Sequence, residues 1–343
     1  MSKCNIMSLA NEENKMNCSL KGQVIEIYGN SDTGKTYQAT RMEKPLLLMS
    51  ENGGNGRNCP KQFLDSWDMF TDIVKQLTQG YEEASKLYQT VIIDTVEELV
   101  ALVENKVAKR YGVLEVGMVQ GADKSNPNGY SLARNMFRQQ INLLTSAGYT
   151  VVFISHFTEI EDYEDPDTGE KYNKIMPFGS NKEKSSTRLV RNLADFVIYT
   201  KAQGIDKNTN KTIYSKAICK ETKHIFARAR YDMQTEIPTF TAENLTEAIE
   251  KAIKKTAENE GAGLTEFSKV DYGYTKEDYF ELIKPYVNKL YGLYPDFVTK
   301  VIEEQLGEGK KVTEATDDEL TELSNIYSEF VAYACDRGIV VES

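Results

Sequence analysis

The chain has 343 residues, 40% of them hydrophobic, and its 52 acidic against 41 basic side chains give a net charge of −11. This composition is typical of one or two globular domains, and no apolar run is long enough to cross a bilayer. The N-terminus lacks the basic and then apolar segments of a signal peptide. The chain has five scattered cysteines and only two histidines. These features argue against a membrane protein, a disulfide framework or a zinc site, and they predict a cytoplasmic protein.

The charge is spread unevenly along the chain. Residues 258–343 hold 19 acidic and 8 basic side chains, so the first 257 residues are close to neutral. Within them, residues 171–230 hold 14 basic against 4 acidic side chains. This asymmetry indicates a basic working surface and a separate acidic module, although a solvated charged face explains each stretch equally well.

The first predicted elements surround a glycine-rich loop. Residues 1–20 are polar and are predicted to form a flexible arm, and Val24–Tyr28 to form a buried strand. The next residues fit the phosphate-binding pattern G-x-x-x-x-G-K-[ST]: Gly29, Asn30, Ser31, Asp32, Thr33, Gly34, Lys35 and Thr36. Glycines let backbone N–H groups wrap a phosphate, the lysine reaches its oxygens, and the threonine hydroxyl can ligate Mg²⁺. A helix is expected from Tyr37 onward, with its positive end toward the phosphates. Tyr37 is therefore predicted, together with the eight residues of the loop, to bind the nucleotide.

Strand and helix patterns then alternate. Apolar segments predict strands at Lys44–Met49, Tyr88–Asp94, Tyr149–Ile154 and Asn192–Tyr199, with later strands at Thr212–Ile218 and Ala227–Asp232 around a turn at Asp206–Asn210. Helical spacing marks Phe63–Leu77, Val96–Lys109 and Ser131–Ala147. Gly112–Gly129 is predicted to be a long loop and Asp165–Gly169 a hairpin tip. Residues 21–258 are therefore predicted to form an α/β core with a mostly parallel sheet covered by helices.

The C-terminal part differs in character. A polar helix is predicted from Thr241 to about Glu258, and Gly261–Gly263 is the best candidate for a linker. Helical periodicity returns at Lys276–Leu290 and Pro295–Leu306, and Thr316–Glu319 is a capping box before a helix that runs to about Asp336. Residues 259–343 are therefore predicted to form a small acidic helical module.

Three polar residues follow predicted strands. Asp94 ends its strand as a Walker B aspartate does and could hold Mg²⁺ through water. Glu51 follows the second strand, and residues beyond strand ends line the ligand crevice of such sheets, so it could orient or deprotonate an attacking water. His156 could sense a γ-phosphate as a neutral donor. An ordinary surface glutamate and a satisfied strand-end histidine are the alternatives.

The order of these motifs resembles the RecA-like recombinase core, and more closely the compact phage RecA-like P-loop ATPases of the single-strand-annealing type. The shared motifs are the phosphate loop, the turn Glu51–Gly54, the Walker B strand Val91–Thr95 and the sensor strand Phe153–His156, within about residues 20–235.

The resemblance implies that Lys35 and Thr36 bind phosphate and Mg²⁺, and it makes Asp94 the Walker B acid. It also makes Glu51 the catalytic carboxylate and His156 the γ-phosphate sensor. Asp32 departs from the pattern because it places an acid inside the loop. Met49–Ser50–Glu51 also lacks the aspartate that often precedes the glutamate.

The resemblance also implies DNA-facing loops at about residues 112–129 and 157–187. The second loop carries basic side chains, which track phosphates, and aromatic ones, which stack on bases: Lys171, Lys174, Lys182, Lys184 and Arg188, with Tyr172 and Phe178. Late strands carry Lys220, Lys223, Arg228 and Arg230, where RecA-like proteins reach into a neighbour's ATP site. DNA contact or surface charge explains these four equally well.

The sequence therefore predicts an ATP- and Mg²⁺-dependent ATPase that forms a homo-oligomer and acts on single-stranded DNA in recombination or annealing, in the host cytoplasm if it is phage-encoded. One alternative is a nucleotide-gated scaffold with little hydrolysis, which binds a protein partner through its acidic module. Another is a helicase or loader built on the same core.

Overall fold

The computed structural model describes residues 15–51, 56–120, 128–179, 181, 185–205, 213–267 and 275–341. Its strands are β1 (Lys15–Asn17), β2 (Val24–Gly29), β3 (Pro45–Met49), β4 (Lys61–Phe63), β5 (Thr90–Asp94), β6 (Thr150–Ser155), β7 (Phe157–Glu164), β8 (Lys171–Pro177), β9 (Phe196–Lys201), β10 (Lys216–Ile218), β11 (Arg228–Ala229), β12 (Glu236–Ile237) and β13 (Gly263–Thr265). Its α-helices are α1 (Lys35–Ala39), α2 (Trp67–Gln79), α3 (Tyr81–Leu87), α4 (Val96–Arg110), α5 (Gly129–Ala147), α6 (Ser186–Leu193), α7 (Ala242–Glu260), α8 (Lys276–Tyr291), α9 (Pro295–Leu306) and α10 (Leu320–Asp336).

The main sheet confirms the predicted α/β class. Its strands run in the order β12-β10-β9-β2-β6-β5-β3-β4, with β11 also paired to β9. The strands from β9 to β4 in this order are parallel, whereas β10 and β11 pair with β9 in the antiparallel sense. Parallel strands buried on both faces produce the continuous apolar runs seen in the sequence.

Helices cover both faces of this sheet. Successive side chains of a strand point to opposite faces, so Val24 and Tyr28 join a core formed with α2, α4, α5 and α6. Ile25 and Ile27 join a second core formed with α1 and α7. The central strands are therefore packed from both sides, which fixes the positions of their ends.

The carboxyl ends of the parallel strands meet at one edge of the sheet. Tyr28 of β2 lies opposite Ser155 of β6, and Asp94 of β5 lies between Met49 of β3 and Ile154 of β6. Strand β6 thus separates β2 from β5. The segments that follow β2, β3, β5 and β6 share the edge where α/β sheets bind ligands.

Two predicted element boundaries were wrong: the start of the helix that follows β3 and the start of strand β9. The helix predicted from Phe63 begins at Trp67, because Ser66 caps it by accepting a hydrogen bond from the Met69 N–H and residues 61–63 form edge strand β4. The strand predicted from Asn192 begins at Phe196, because residues 186–193 form helix α6.

The later predictions hold in part. The predicted strands Thr212–Ile218 and Ala227–Asp232 are shorter, as β10 and β11, and the turn Asp206–Asn210 lies outside the described residues. The hairpin tip is confirmed, since the Gly169 N–H donates to the Asp165 carbonyl at 2.8 Å. In Gly112–Gly129, residues 116–118 form a short 3-10 turn, and residues 121–127 are outside the described part.

The predicted arm and linker pair with each other. Strand β1 runs parallel to β13, with Lys15 opposite Gly263 and Asn17 opposite Thr265, and the Cys18 N–H continues the ladder to the Thr265 carbonyl at 2.9 Å. Residues 15–17 of the predicted flexible arm are therefore a strand, and Gly263 belongs to its partner. Residues 1–14 lie outside the described residues.

The C-terminal helices pack around a core of their own and also contact the α/β part. Their core includes Ile283, Val298 and Phe330. Buried Arg110 at the end of α4 pairs with Glu304 and Glu329. The acidic helices thus direct carboxylates toward a cation of the α/β core. Across the described part of the chain, no helix is long and apolar enough to span a membrane.

Candidate functional site

Strand β2 leads into the predicted phosphate-binding loop. Gly29 ends the strand with a φ of 145°, and a Cβ here would lie 2.5 Å from the Thr200 carbonyl oxygen. Gly34 adopts a left-handed φ of 82° before helix α1. The two positions where the pattern demands glycine are thus positions where another residue would be strained. Helix α1 spans Lys35–Ala39, so it begins two residues before the predicted start at Tyr37.

Lys35 is held over this loop. Its side chain is buried, and its Nζ donates to the carbonyl oxygens of Gly29 at 2.9 Å and Asn30 at 2.7 Å. Burial lowers the pKa of the ammonium, and the carboxylates of Asp94 and Glu97 oppose that shift. A desolvated cation of this kind is stabilised by additional negative charge, which a phosphate group supplies.

The acid inside the loop faces solvent. Asp32 is exposed and has a φ of 62°, a conformation that aspartate tolerates better than most residues. Neighbouring Thr33 is buried instead, with its hydroxyl 2.7 Å from Thr200 Oγ1. Asp32 therefore does not fill the interior of the loop, although its charge still acts on Lys35.

Thr36 and Asp94 form the predicted metal-binding pair. The Thr36 hydroxyl donates to Asp94 Oδ2 at 2.8 Å. Burial raises the pKa of Asp94, and the hydrogen bond from Thr36 opposes that rise. Hydroxyl and carboxylate oxygens suit Mg²⁺, and a desolvated carboxylate gains from a divalent cation, so the residues present fit the metal. Among the described residues, no cluster of three or more His, Cys, Asp or Glu side chains could hold a metal.

Glu51 lies beside this pair. The Ser50 N–H donates to the Asp94 carbonyl at 2.9 Å, which ties the end of β3 to the end of β5. The Thr95 hydroxyl donates to Glu51 Oε1 at 2.9 Å. The carboxylate is exposed, so it is fixed on one side by Thr95 and open to water on the other. Residues 52–55, which complete the predicted glutamate–glycine turn, are not among the described residues.

His156 follows the sensor strand β6 and is tied to a carboxylate that the sequence did not single out. Its backbone N–H donates to Glu97 Oε1 at 2.6 Å, and its Nδ1 lies 3.8 Å from the same oxygen. The Ser155 hydroxyl also donates to this oxygen, at 2.8 Å. Glu97 in the first turn of α4 thus joins the end of β6 to the helix that follows Asp94.

Sequence reasoning missed Glu97 because its signal is weak. Two adjacent acids, Glu97 and Glu98, occupy the first turn of α4, where either stabilises the helix dipole. Only the structure separates them: Glu98 is exposed, whereas the Glu97 side chain is 10% exposed. Within the described residues, Glu97 Oε2 is buried without a hydrogen-bond partner.

The predicted catalytic and metal-binding residues thus converge. The charges or hydrogen bonds of Thr36, Glu51, Lys35 and His156 all act on the pKa of Asp94. These side chains come from the ends of three parallel strands, β3, β5 and β6, and from the start of α1, which follows β2. The arrangement can hold a phosphate, a divalent cation and a water molecule side by side.

Lys174, predicted to contact DNA, is not an open basic group. Its side chain is only 8% exposed, its Nζ pairs with Glu221 at 2.5 Å, and the ammonium lies 4.7 Å from the centre of the Tyr163 ring. To contact a DNA phosphate, this lysine would have to give up its pair with Glu221 and become exposed. The packing of β8 thus counts against a DNA contact by Lys174, and that role stays a prediction.

The β7–β8 hairpin is acidic rather than basic. Residues 157–177 hold seven acidic and two basic side chains, of which Lys171 is exposed near the tip. The predicted cations Lys182 and Lys184 lie outside the described residues. Arg188 lies in α6 and is partly exposed, and Phe178 is 49% exposed between the hairpin and that helix. Among the described residues, the basic candidates that reach solvent are therefore Lys171 in the hairpin and Arg188 after it.

The four predicted trans-acting cations are engaged within the chain. Arg228 donates to carbonyl oxygens at the end of α6, including that of Ala194 at 2.8 Å. The other three pair with carboxylates: Lys220 with Asp232, Lys223 with Glu170 and Arg230 with Asp195. Arg228 thus caps a helix, and a contact of any of these four side chains with a neighbouring subunit stays a prediction.

The part of the chain that carries this site is similar to known proteins. A family described as an AAA domain matches residues 21–231. A similar protein is the SPbeta prophage-derived uncharacterized protein YorG of Bacillus subtilis (strain 168), which is 33% identical over 323 residues, covering 90% of this chain and 93% of that protein. Because only a tenth of this chain lies outside that alignment, the similarity includes most of the C-terminal helices.

Proposed function

Because the chain belongs to the AAA domain family, which it matches over residues 21–231, we propose that it is a Mg²⁺-dependent ATPase that acts on single-stranded DNA in recombination or annealing. The observation that carries the proposal is the convergence of Lys35, Thr36, Asp94, Glu51 and His156 at one edge of the sheet. A prophage origin, named for the relative, is part of the proposal for this chain.

Each residue would have a distinct task. Lys35 and the loop backbone would hold the β- and γ-phosphates, and Thr36 with Asp94 would hold Mg²⁺, which neutralises developing charge on the phosphate oxygens. Glu51 would orient or deprotonate the attacking water, because its carboxylate is anchored by Thr95 and open to solvent.

The sensor strand offers a route from the phosphates to Phe178 and α6, where we propose that nucleic acid is contacted. His156 is followed at once by β7, and the Phe178 N–H donates to the His156 carbonyl at 3.1 Å. A displacement of His156 on hydrolysis would therefore reach both arms of the hairpin and the residues that lead to α6. This geometry supports ATP-dependent control of binding.

ATP turnover with and without single-stranded DNA tests the proposal. We expect Lys35→Ala to abolish turnover by removing nucleotide binding. Glu51→Gln should bind ATP but turn it over at least about a hundredfold more slowly, as expected for loss of a general base. Glu82→Gln, an exposed carboxylate on α3, is the matched control and should behave as wild type. A wild-type protein that neither binds nor hydrolyses ATP would refute the proposal.

The acidic hairpin favours a second candidate, a nucleotide-gated protein-binding module. Seven acids between residues 157 and 177 would repel DNA and suit a basic partner. Salt dependence separates the two functions: binding to single-stranded DNA should weaken steeply as salt rises. Retention of a protein partner without DNA affinity would favour the module instead. Unwinding of a forked duplex, rather than annealing, would indicate a helicase or loader.

A further inference from the structure

An aromatic ring lies at the exit of the phosphate-binding loop. Tyr37 comes directly after Thr36 on the open side of α1, and 36% of it is exposed. If Lys35 and Thr36 hold the phosphates of a nucleotide, its sugar and base lie outside the loop. Tyr37 is therefore one residue away from the predicted metal ligand and partly open to solvent, a position from which its ring can contact the part of the nucleotide beyond the phosphates.

Two arginines surround this ring. The Arg41 guanidinium lies 3.4 Å from the ring centre, and its Nη1 donates to the Tyr37 carbonyl at 3.1 Å. The Arg57 guanidinium, from the segment after β3, lies 5.6 Å from the same ring centre. Arg41 is exposed and Arg57 is partly exposed. This cluster, here called the Tyr37 platform, thus combines one phenol ring and two guanidinium groups, which come from the segment at α1 and from the segment after β3.

We propose that the Tyr37 platform, formed by Tyr37, Arg41 and Arg57, stacks the base of the nucleoside triphosphate held by the phosphate loop and selects purines over pyrimidines. Bases stack on phenol rings and on guanidinium planes alike. A purine offers the larger stacking surface, so it gains more from such a platform than a pyrimidine does. The inference deepens the proposed ATPase function and rests on it.

The charge of the platform fits the same ligand. Arg41 and Arg57 add two cations beside a loop that already presents Lys35, so a triphosphate would be attracted by all three. Inorganic tripolyphosphate shares this charge but has no base. A substitution that removes only the ring therefore separates stacking from electrostatic attraction, which makes Tyr37 the residue to change.

The experiment measures dissociation constants for ATP, CTP and inorganic tripolyphosphate in the presence of Mg²⁺. We expect wild type to bind ATP most tightly, then CTP, then tripolyphosphate. Tyr37→Ala should bind ATP about tenfold to a hundredfold more weakly, the range that loss of one stacked base implies, and bind tripolyphosphate as wild type does. Tyr37→Phe should retain the preference for ATP. Tyr291→Ala, which alters an exposed tyrosine at the end of α8, is the matched control.

The outcomes separate the inference from the function on which it rests. If wild type binds ATP and Tyr37→Ala binds it equally well, the platform is refuted while the ATPase proposal stands. If Tyr37→Ala loses affinity for a single-stranded oligonucleotide but not for ATP, the platform serves nucleic acid and the inference is overturned. If wild type binds neither nucleotide nor tripolyphosphate, both proposals fail.

Discussion

The charge of one buried carboxylate should control the stability of the α/β core. Glu26 lies in the middle of β2, is 1% exposed, and its Oε2 is buried with no hydrogen-bond partner among the described residues. Burial, followed by repulsion from Glu97, raises its pKa from 4.5 to about 8, although Arg191 and Arg228 oppose the rise. The folded protein therefore keeps this proton over a range where the unfolded chain has lost it.

The size of the effect follows from these two pKa values. The stabilisation from the retained proton is fully present below pH 4.5 and is lost as the pH rises through about 8. At about 1.4 kcal/mol per pKa unit, the free energy of unfolding should fall by about 2 kcal/mol between pH 6.5 and 9. Glu26→Gln keeps the shape of the side chain but cannot ionise, so it should not show this loss.

Urea unfolding followed by circular dichroism at pH 6.5 and pH 9 tests this prediction. The readout is the pH-dependent change within each variant, because Glu26→Gln can also alter stability at every pH. Glu258→Gln, an exposed glutamate on α7, controls for the loss of a carboxylate and should follow wild type. The reasoning is wrong if wild type, Glu26→Gln and Glu258→Gln all lose the same free energy between the two pH values.

Three further predictions concern the rest of the molecule. Arg110→Ala leaves the carboxylates of Glu304 and Glu329 without their cation, so thermal unfolding should show a loss of about 3–5 kcal/mol; a loss below 1 kcal/mol would contradict this. Asp32→Gly fits the left-handed φ of 62° and removes a charge near the phosphates, so calorimetry should show tighter ATP binding, whereas weaker binding would count against the solvent-facing placement. Glu97→Ala removes the acceptor of the Ser155 hydroxyl and of the His156 N–H, so misplacement of His156 should slow ATP turnover about tenfold to a hundredfold. Glu97→Gln keeps an acceptor and should reduce turnover less. Equal turnover rates for the two variants would argue against a positioning role for Glu97.

Much of the core was predictable because its strands are buried on both faces. The strands ending at Met49, Asp94 and Ser155 appear as continuous apolar runs, and the strand ending at Gly29 is interrupted only by Glu26. Such runs are typical of parallel sheets. Their polar end residues were predictable for the same reason, since the ends of parallel strands meet at one edge.

Other elements were hidden because local pattern does not encode them. Strand β4, Lys61–Phe63, has three exposed residues, so no periodicity marks it. Helix α3 has no fully buried side chain, and only Tyr81 and Ala84 pack partly against the core, which is too short an apolar stripe for a pattern to detect. The pairing of β1 with β13 joins residues almost 250 positions apart in the sequence, which composition cannot reveal.

The site was only partly predictable, because burial and pairing depend on tertiary contacts. Lys174 and Lys171 look alike in the sequence, yet one is buried against Glu221 and the other is exposed. Glu97 and Glu98 are equally similar, and only the position of β6 selects Glu97. Residue type therefore indicated the candidate chemistry, while the fold decided which of two similar side chains lies at the candidate site.

The affinity of Glu51→Gln for single-stranded DNA, measured with and without ATP and Mg²⁺, tests the central claim most directly. This variant should hold ATP without hydrolysing it, so the bound state persists during the titration. We predict that ATP tightens DNA binding at least about fivefold, a coupling typical of allosteric proteins, and that adding Lys35→Ala removes the effect. Equal DNA affinity with and without ATP, in a variant shown to bind ATP, would contradict the claim that the nucleotide site controls a single-stranded DNA surface.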